Sequence, residues 1–166
     1  MPRLALPTFL CTLALTSCAM PSPDAPANTA TAPESATPET SPEEAEILAT
    51  CQAFFDVLAN RDIERGLRLT TEDSAFYNVR VEDGEPVVGH FEIEPWLLGL
   101  ADDDRKFREY FTGTPRVLVH GNIAVVWAEY VFELNGKRSH SGIDAFNLVR
   151  TTEGWKICGG VYDMEH

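Results

Sequence analysis

Asn135-Gly136 stands between two runs of alternating polarity, IAVVWAEYVFEL (residues 123–134) and KRSHSGIDAFNLV (residues 137–149). Asn-Gly is the strongest short-range signal for a two-residue type I′ hairpin, because both of its central residues must take a positive φ. A fixed turn fixes the pairing register, and register decides which side chains share a face. Counting outward from the turn pairs Leu134 with Lys137, Glu133 with Arg138, Val131 with His140, Glu129 with Gly142, Trp127 with Asp144, Val125 with Phe146 and Ile123 with Leu148. The opposite charges of Glu133 and Arg138 agree with this count. A four-residue turn at Thr151-Thr152-Glu153-Gly154 then leads into WKICGGVYD and places Trp155, Ile157, Val161 and Asp163 on the face of Asp144 and Phe146.

That register gathers Glu129, His140, Asp144 and Asp163 among Trp127, Phe146, Leu148, Trp155 and Ile157. Carboxylates are costly on an apolar face unless something pairs with them, so the face is expected to line a pocket. His140 and Asp144 lie four residues apart on one strand, about 13 Å at about 3.3 Å per residue, too far for a hydrogen-bonded dyad. Glu129 is diagonal to both, and Gly142 leaves room at the centre for something to approach. In the functional reading Asp144 or Glu129 acts as general base or ligand anchor, with His140 as proton donor or hydrogen-bond partner. Trp127 and Asp163 complete the expected ligand-binding set. The alternative makes Asp144 a satisfied structural acid and puts the other polar groups at the wet end of the sheet. Tyr130, Phe132 and Ile143 fall on the opposite face, where an apolar patch is expected to pair two copies as a homodimer.

The start of the chain has a different character. Residues 4–15 are apolar behind a lone Arg3, too short for a membrane-spanning helix and of the length of a signal-peptide core. They close on Leu15-Thr16-Ser17-Cys18, which resembles the bacterial lipobox and implies cleavage before a lipidated Cys18. Residues 1–17 are thus expected to be a lipoprotein signal peptide. Residues 18–41, rich in Pro, Ala, Thr and Ser, form a tether too poor in apolar side chains to fold. As a coil the tether spans on the order of 25 Å, and about 70 Å when extended. Localisation follows as the cell envelope, anchored by lipid and facing the periplasm or the exterior. The full chain carries a formal charge of −13, and such acidity argues against nucleic acid as a partner.

Of the four cysteines, Cys11 leaves with the signal and Cys18 takes the lipid. Cys51 and Cys158 then either form a disulfide or remain two buried thiols; the register places them on different faces. No zinc-type spacing, EF-hand loop or glycine-rich phosphate loop occurs, so neither metal nor cofactor is expected. Ser139 and Ser141 point away from the adjacent His140, so no serine triad follows.

A domain over residues 42–166 begins with a capping box, Ser41-Pro42-Glu43-Glu44, followed by Ile47, Cys51, Phe54, Phe55 and Leu58 at helical spacing. A second helix over residues 61–69, a hairpin about Asp83-Gly84, a helical stretch over residues 94–110 and a strand from Thr114 precede the Asn-Gly hairpin. Helices followed by long antiparallel strands make an α+β arrangement. The opening AFFDVLANRD, the segment LRLTTEDSAFY and the ending VVWAEYVFEL, turn, SHSGIDAFNLVRTTEGWKI resemble the nuclear transport factor 2-like superfamily, in its SnoaL-like bacterial branch. The resemblance implies a cone-shaped fold in which N-terminal helices cover the concave face of a curved antiparallel sheet, with a small-molecule cavity between them. Such folds serve isomerases, cyclases, dehydratases, binders and assembly modules. The expectation is a membrane-anchored protein that binds a small, partly apolar molecule. The alternatives are an enzyme using a cavity carboxylate as general base, and a non-catalytic dimeric assembly module.

Overall fold

The structure is a computed structural model that describes residues 40–166. The signal peptide, Cys11, Cys18 and nearly all of the tether lie outside the described residues.

Helix α1 spans Pro42–Asn60 and starts as its sequence dictates. Ser41 Oγ accepts the Glu44 amide, and the Glu44 side chain returns to the Ser41 amide. Each bond satisfies a donor that the helix itself leaves open. Arg61, in the left-handed region at φ 55°, ends it. Asp62 caps the short α2, Ile63–Leu69. Strands β1 (Thr70–Glu82) and β2 (Glu85–Glu92) flank Asp83-Gly84, both at positive φ as a primed turn requires. Helix α3 covers Ile93–Gly99, and a single 3-10 turn follows at Leu100–Asp102.

The stretch expected to be helical to residue 110 ends early, and β3 runs Phe107–His120 instead of starting at Thr114. In FREYF the residues alternate, with Phe107, Glu109 and Phe111 on one side and Arg108 and Tyr110 on the other. That strand pattern prevails over a helical composition upstream. Strands β4 (Ile123–Leu134), β5 (Lys137–Thr151) and β6 (Gly154–Met164) complete one sheet of order β2-β1-β6-β5-β4-β3. All neighbours are antiparallel except β1 and β6, which run parallel.

The Asn-Gly hairpin forms, with Asn135 and Gly136 at φ 54° and 74°, and Glu133 faces Arg138 as expected. One residue later the expected register fails. Phe132 faces His140, leaving Ser139 as the extra residue of a bulge, and every later pair is offset: Tyr130 with Gly142, Ala128 with Asp144, Val126 with Phe146. A one-residue slip exchanges the two faces of a strand. Tyr130 and Phe132 therefore belong to the concave face, while Glu129, Trp127, Val125 and Ile123 belong to the convex one. A second bulge at Cys158 keeps Trp155 and Ile157 inside but turns Val161 and Asp163 out and Tyr162 in. A third irregularity spans residues 113–115 of β3, opposite Ala128. Bulges bend and twist the strand that carries them, and here three adjacent strand pairs curve the sheet around one hollow.

Helices α1 and α3 pack into that hollow. The core joins Phe54 and Phe55 of α1 to Phe111, Phe146 and Phe76 of the sheet; edge-on ring pairs lie at 4.8 Å (Phe55–Phe111) and 5.4 Å (Phe76–Phe146). Cys51 and Cys158 are free thiols, one buried under α1 and the other donating to the Asn147 carbonyl at 3.3 Å.

Candidate functional site

The hollow is only partly filled. A cavity of about 540 Å³ remains between α1, α3, the 100–107 segment and the concave sheet. Its wall is mainly apolar and aromatic, with Phe54, Phe76, Phe91, Trp96, Phe107, Phe132 and Phe146 facing Leu58, Ile93 and Leu100. Arg61 fastens one side by donating to the carbonyls of Leu100 (3.2 Å) and Arg105. Arg105 lies over the Phe107 ring and is paired with Asp103.

Besides Asp103 and Arg105, five polar side chains interrupt this wall: His140 and Asp144, which are buried, and Asn78, Glu109 and Tyr162, which are half-buried. Asp144 shares a rung with Ala128, Tyr162 and Asn78, and His140 shares one with Phe132 and Glu109. Asp144 is 2% exposed, and its Oδ2 has no hydrogen-bond partner. Burial, followed by the charges of Glu109 and Asp163, raises its pKa well above the ordinary carboxylate value. Burial likewise pushes Glu109 up to about 8. A charged carboxylate is disfavoured where neither water nor a cation solvates it. At neutral pH Glu109 thus mostly holds its proton and offers an O–H donor to the cavity, and Asp144 is pushed in the same direction. The Tyr162 hydroxyl is pushed up to about 12 by burial and the nearby acids. His140 is stacked on Phe132 at 4.9 Å, with Nδ1 3.2 Å from Ser139 Oγ, and burial lowers its pKa, so it is a neutral imidazole.

The two acids when protonated, a neutral imidazole and a phenol can donate hydrogen bonds to a ligand. When the acids ionise, they can take a proton from it. Among the described residues no group of three or more His, Cys, Asp and Glu is placed to hold a metal.

His140 and Asp144 thus open on one cavity, but the other expected site residues do not join them. Glu129 and Trp127 lie on the convex face, both exposed, against Thr112, Arg116 and Ile143. Asp163 fills the place left by Gly142. A Cβ there would lie 2.6 Å from Asp163 Oδ1 and still closer to its carbonyl oxygen, so glycine is required by the chain's own approach and not by a ligand. Asp163 Oδ1 accepts the Ile143 amide at 2.5 Å, and its carbonyl accepts the Tyr130 hydroxyl at 2.8 Å. These are framework bonds. Two of the residues expected to carry a homodimer face lie elsewhere: Tyr130 is buried at 1% exposure and Phe132 lines the cavity. Glu109, Tyr162 and Asn78 were not anticipated. Glu109 sits two residues from both Phe107 and Phe111, which is the signal that would have found it.

The sequence matches no protein-family model and none of the curated proteins. Solved structures share the fold. Over 74% of its length the chain superposes on 88% of the beta subunit of a protein described as an aromatic-ring-hydroxylating dioxygenase from Novosphingobium aromaticivorans (TM-score 0.58, 14% identity). It also superposes over 74% on 95% of a protein described as a dehydratase of the NTF2-like family from Streptomyces avermitilis (TM-score 0.56, 17% identity). An NTF2-like protein of unknown function from Shewanella baltica matches 75% of this chain over 94% of its own (TM-score 0.53, 14% identity). At these identities the likeness establishes an NTF2-like α+β fold and no activity.

Proposed function

We propose that this protein binds a small, partly apolar molecule in the cavity of its cone-like domain. One observation carries the reading: Asp144 Oδ2 is buried and unpartnered in the wall of an otherwise aromatic hollow. Such a group costs about 1–3 kcal/mol unless something pairs with it, and a ligand entering the cavity supplies the partner. Binding of N-phenyl-1-naphthylamine, a neutral dye that brightens in apolar pockets, tests this. Saturable one-to-one binding is expected, lost in Phe132→Glu on the concave face and kept in Trp127→Glu on the convex one. No saturable binding, or the reverse pattern, sinks it.

A second reading, proton transfer beside a carbonyl, has its own support. Glu109, held near 8, is poised as an acid–base group at neutral pH, and one structural neighbour is described as a dehydratase. Deuterium wash-in from D₂O into cyclohex-2-enone, present in wild type and absent in Glu109→Gln, would favour turnover over binding alone.

The reading includes an envelope anchor through a lipidated Cys18, for which Cys18→Ser should release the protein from membranes; unchanged fractionation would count against it. Pairing of two copies is proposed through the convex face, where Trp127, Ala145, Val161 and Tyr77 form one apolar rung across four strands. Trp127 is 52% and Tyr77 49% exposed. Sedimentation of wild type as a monomer at tens of micromolar, roughly where weak dimers dissociate, would contradict it.

A further inference from the structure

We infer that the cavity selects an organic cation, an ammonium group carried on an apolar or aromatic body. The inference rests on the binding reading above and names the ligand class of that site.

Asp144 is faced by Cys51 from α1, Glu109 from β3, Tyr130 from β4, and Tyr162 and Asp163 from β6, with His140 further along its own strand. None of these is a cation at neutral pH, since burial keeps His140 neutral. The arginines near the cavity already have partners, Arg105 within the cavity wall itself. Arg105 is held by Asp103, Arg61 by backbone carbonyls, and Arg108 reaches Glu133 on the other side of β3. Among the described residues no ion pair reaches Glu109 or Asp144. Buried acids are as a rule paired. Here buried Asp144 and half-buried Glu109 share one cavity, each without an ion-pair partner, and a charge on Glu109 acts directly on Asp144.

Ligand classes differ in how they meet this arrangement. An anion finds no free cation among the described residues of the cavity to pair with, keeps the acids from ionising, and is opposed by a chain of net charge −13. A neutral acceptor can take a hydrogen bond from one protonated acid, but it leaves the other without a partner. A cation stabilises both carboxylates at once. It also meets a wall lined by Phe54, Phe76, Phe91, Trp96 and Tyr162, and aromatic ring quadrupoles attract positive charge, most strongly where water is excluded. Entry of the cation should expel protons from the acids, so its affinity should climb with pH until they ionise, near pH 8 for Glu109.

Three probes of one shape and different charge test this on the full chain by calorimetry: 3-phenylpropylammonium, 3-phenylpropan-1-ol and 3-phenylpropionate. The ammonium should bind about tenfold or more tighter than the alcohol at pH 8, and the propionate weakest. The ammonium preference should grow with pH by up to about tenfold per unit for each proton released. In Asp144→Asn/Glu109→Gln the preference should vanish while the alcohol still binds. Should that double variant fail to fold, the single Asp144→Asn variant and the wild-type pH profile decide. An alcohol that binds as tightly as the ammonium, or a preference that survives the double variant, overturns the cation inference and leaves the cavity reading standing. If none of the three probes binds, both fall.

Discussion

The two faces of the sheet carry the same kinds of side chain and treat them differently. On the concave face Asp144 is buried in an aromatic wall with an oxygen that has no hydrogen-bond partner. On the convex face Asp163 turns its carboxylate to the Ile143 amide, and Glu129 is exposed. A carboxyl group is thus a framework acceptor on one side and a buried, unpartnered group on the other. What separates them is parity along a strand, and parity is set by single extra residues at Ser139 and Cys158. Burial without a partner marks the concave acids, whereas mere presence of acids on a strand marks nothing.

The largest expected effect tests whether the faces differ energetically as they do chemically. Phe146 is 2% exposed and packs edge-on against Phe54, Phe55, Phe76 and Phe111. Phe146→Ala should cost about 3–5 kcal/mol of stability, from lost transfer energy and the cavity left behind. Trp127→Ala removes a larger side chain that is half exposed and should cost about 0.5 kcal/mol. Urea midpoints measured at submicromolar protein, where pairing between copies does not contribute, give both values. A Trp127 loss as large as that at Phe146 would erase the distinction between core and convex face.

A smaller contrast concerns the two aspartates. Asp163→Ala strips the Ile143 amide and the Gly142 niche of their partner and should cost about 1–3 kcal/mol. Asp144→Asn keeps the shape and removes an acid whose ionisation the fold opposes, so its melting temperature at pH 7 should match or exceed that of wild type. A clear drop for Asp144→Asn would make it a framework residue like Asp163 and remove the main support for a ligand site.

Much of this was legible beforehand. The α1 capping box, both primed turns, the α+β order and the inward placement of His140, Asp144, Phe146 and Trp155 follow from local pattern. The bulges do not, because an extra residue leaves no trace in a turn signal. Yet β4 held a warning: Ala124, Val126, Ala128, Tyr130, Phe132 and Leu134 are all apolar, while the other parity contains Glu129 and Glu133. The apolar parity of a strand should outweigh a count from a distant turn, since burial of a whole face outweighs one cross-strand ion pair. Glu109 was hidden by a helical composition that stops at Gly99, and the alternation of Phe107, Glu109 and Phe111 was the better guide.

The smallest effect is a slope. Glu109 holds its proton to about pH 8 in the folded chain, whereas its ordinary value is 4.5. Between those values the folded state binds more protons than the unfolded one, so stability present at low pH is lost as pH rises through the folded value. Asp144 acts in the same direction from 3.8 upward. His140 acts oppositely, because its folded value is depressed below 6.5; its contribution fades as pH rises about one unit past that value, where the unfolded imidazole has also lost its proton. From about pH 7 to 8 the window is therefore dominated by the concave acids. Within it Glu109→Gln should flatten the fall in stability by up to about 1.4 kcal/mol per pH unit, while Trp127→Ala should leave the slope as in wild type. A wild-type stability that is flat or rising across this window would mean that the cavity solvates its acids well, and the difference between the two faces would then lie in geometry alone.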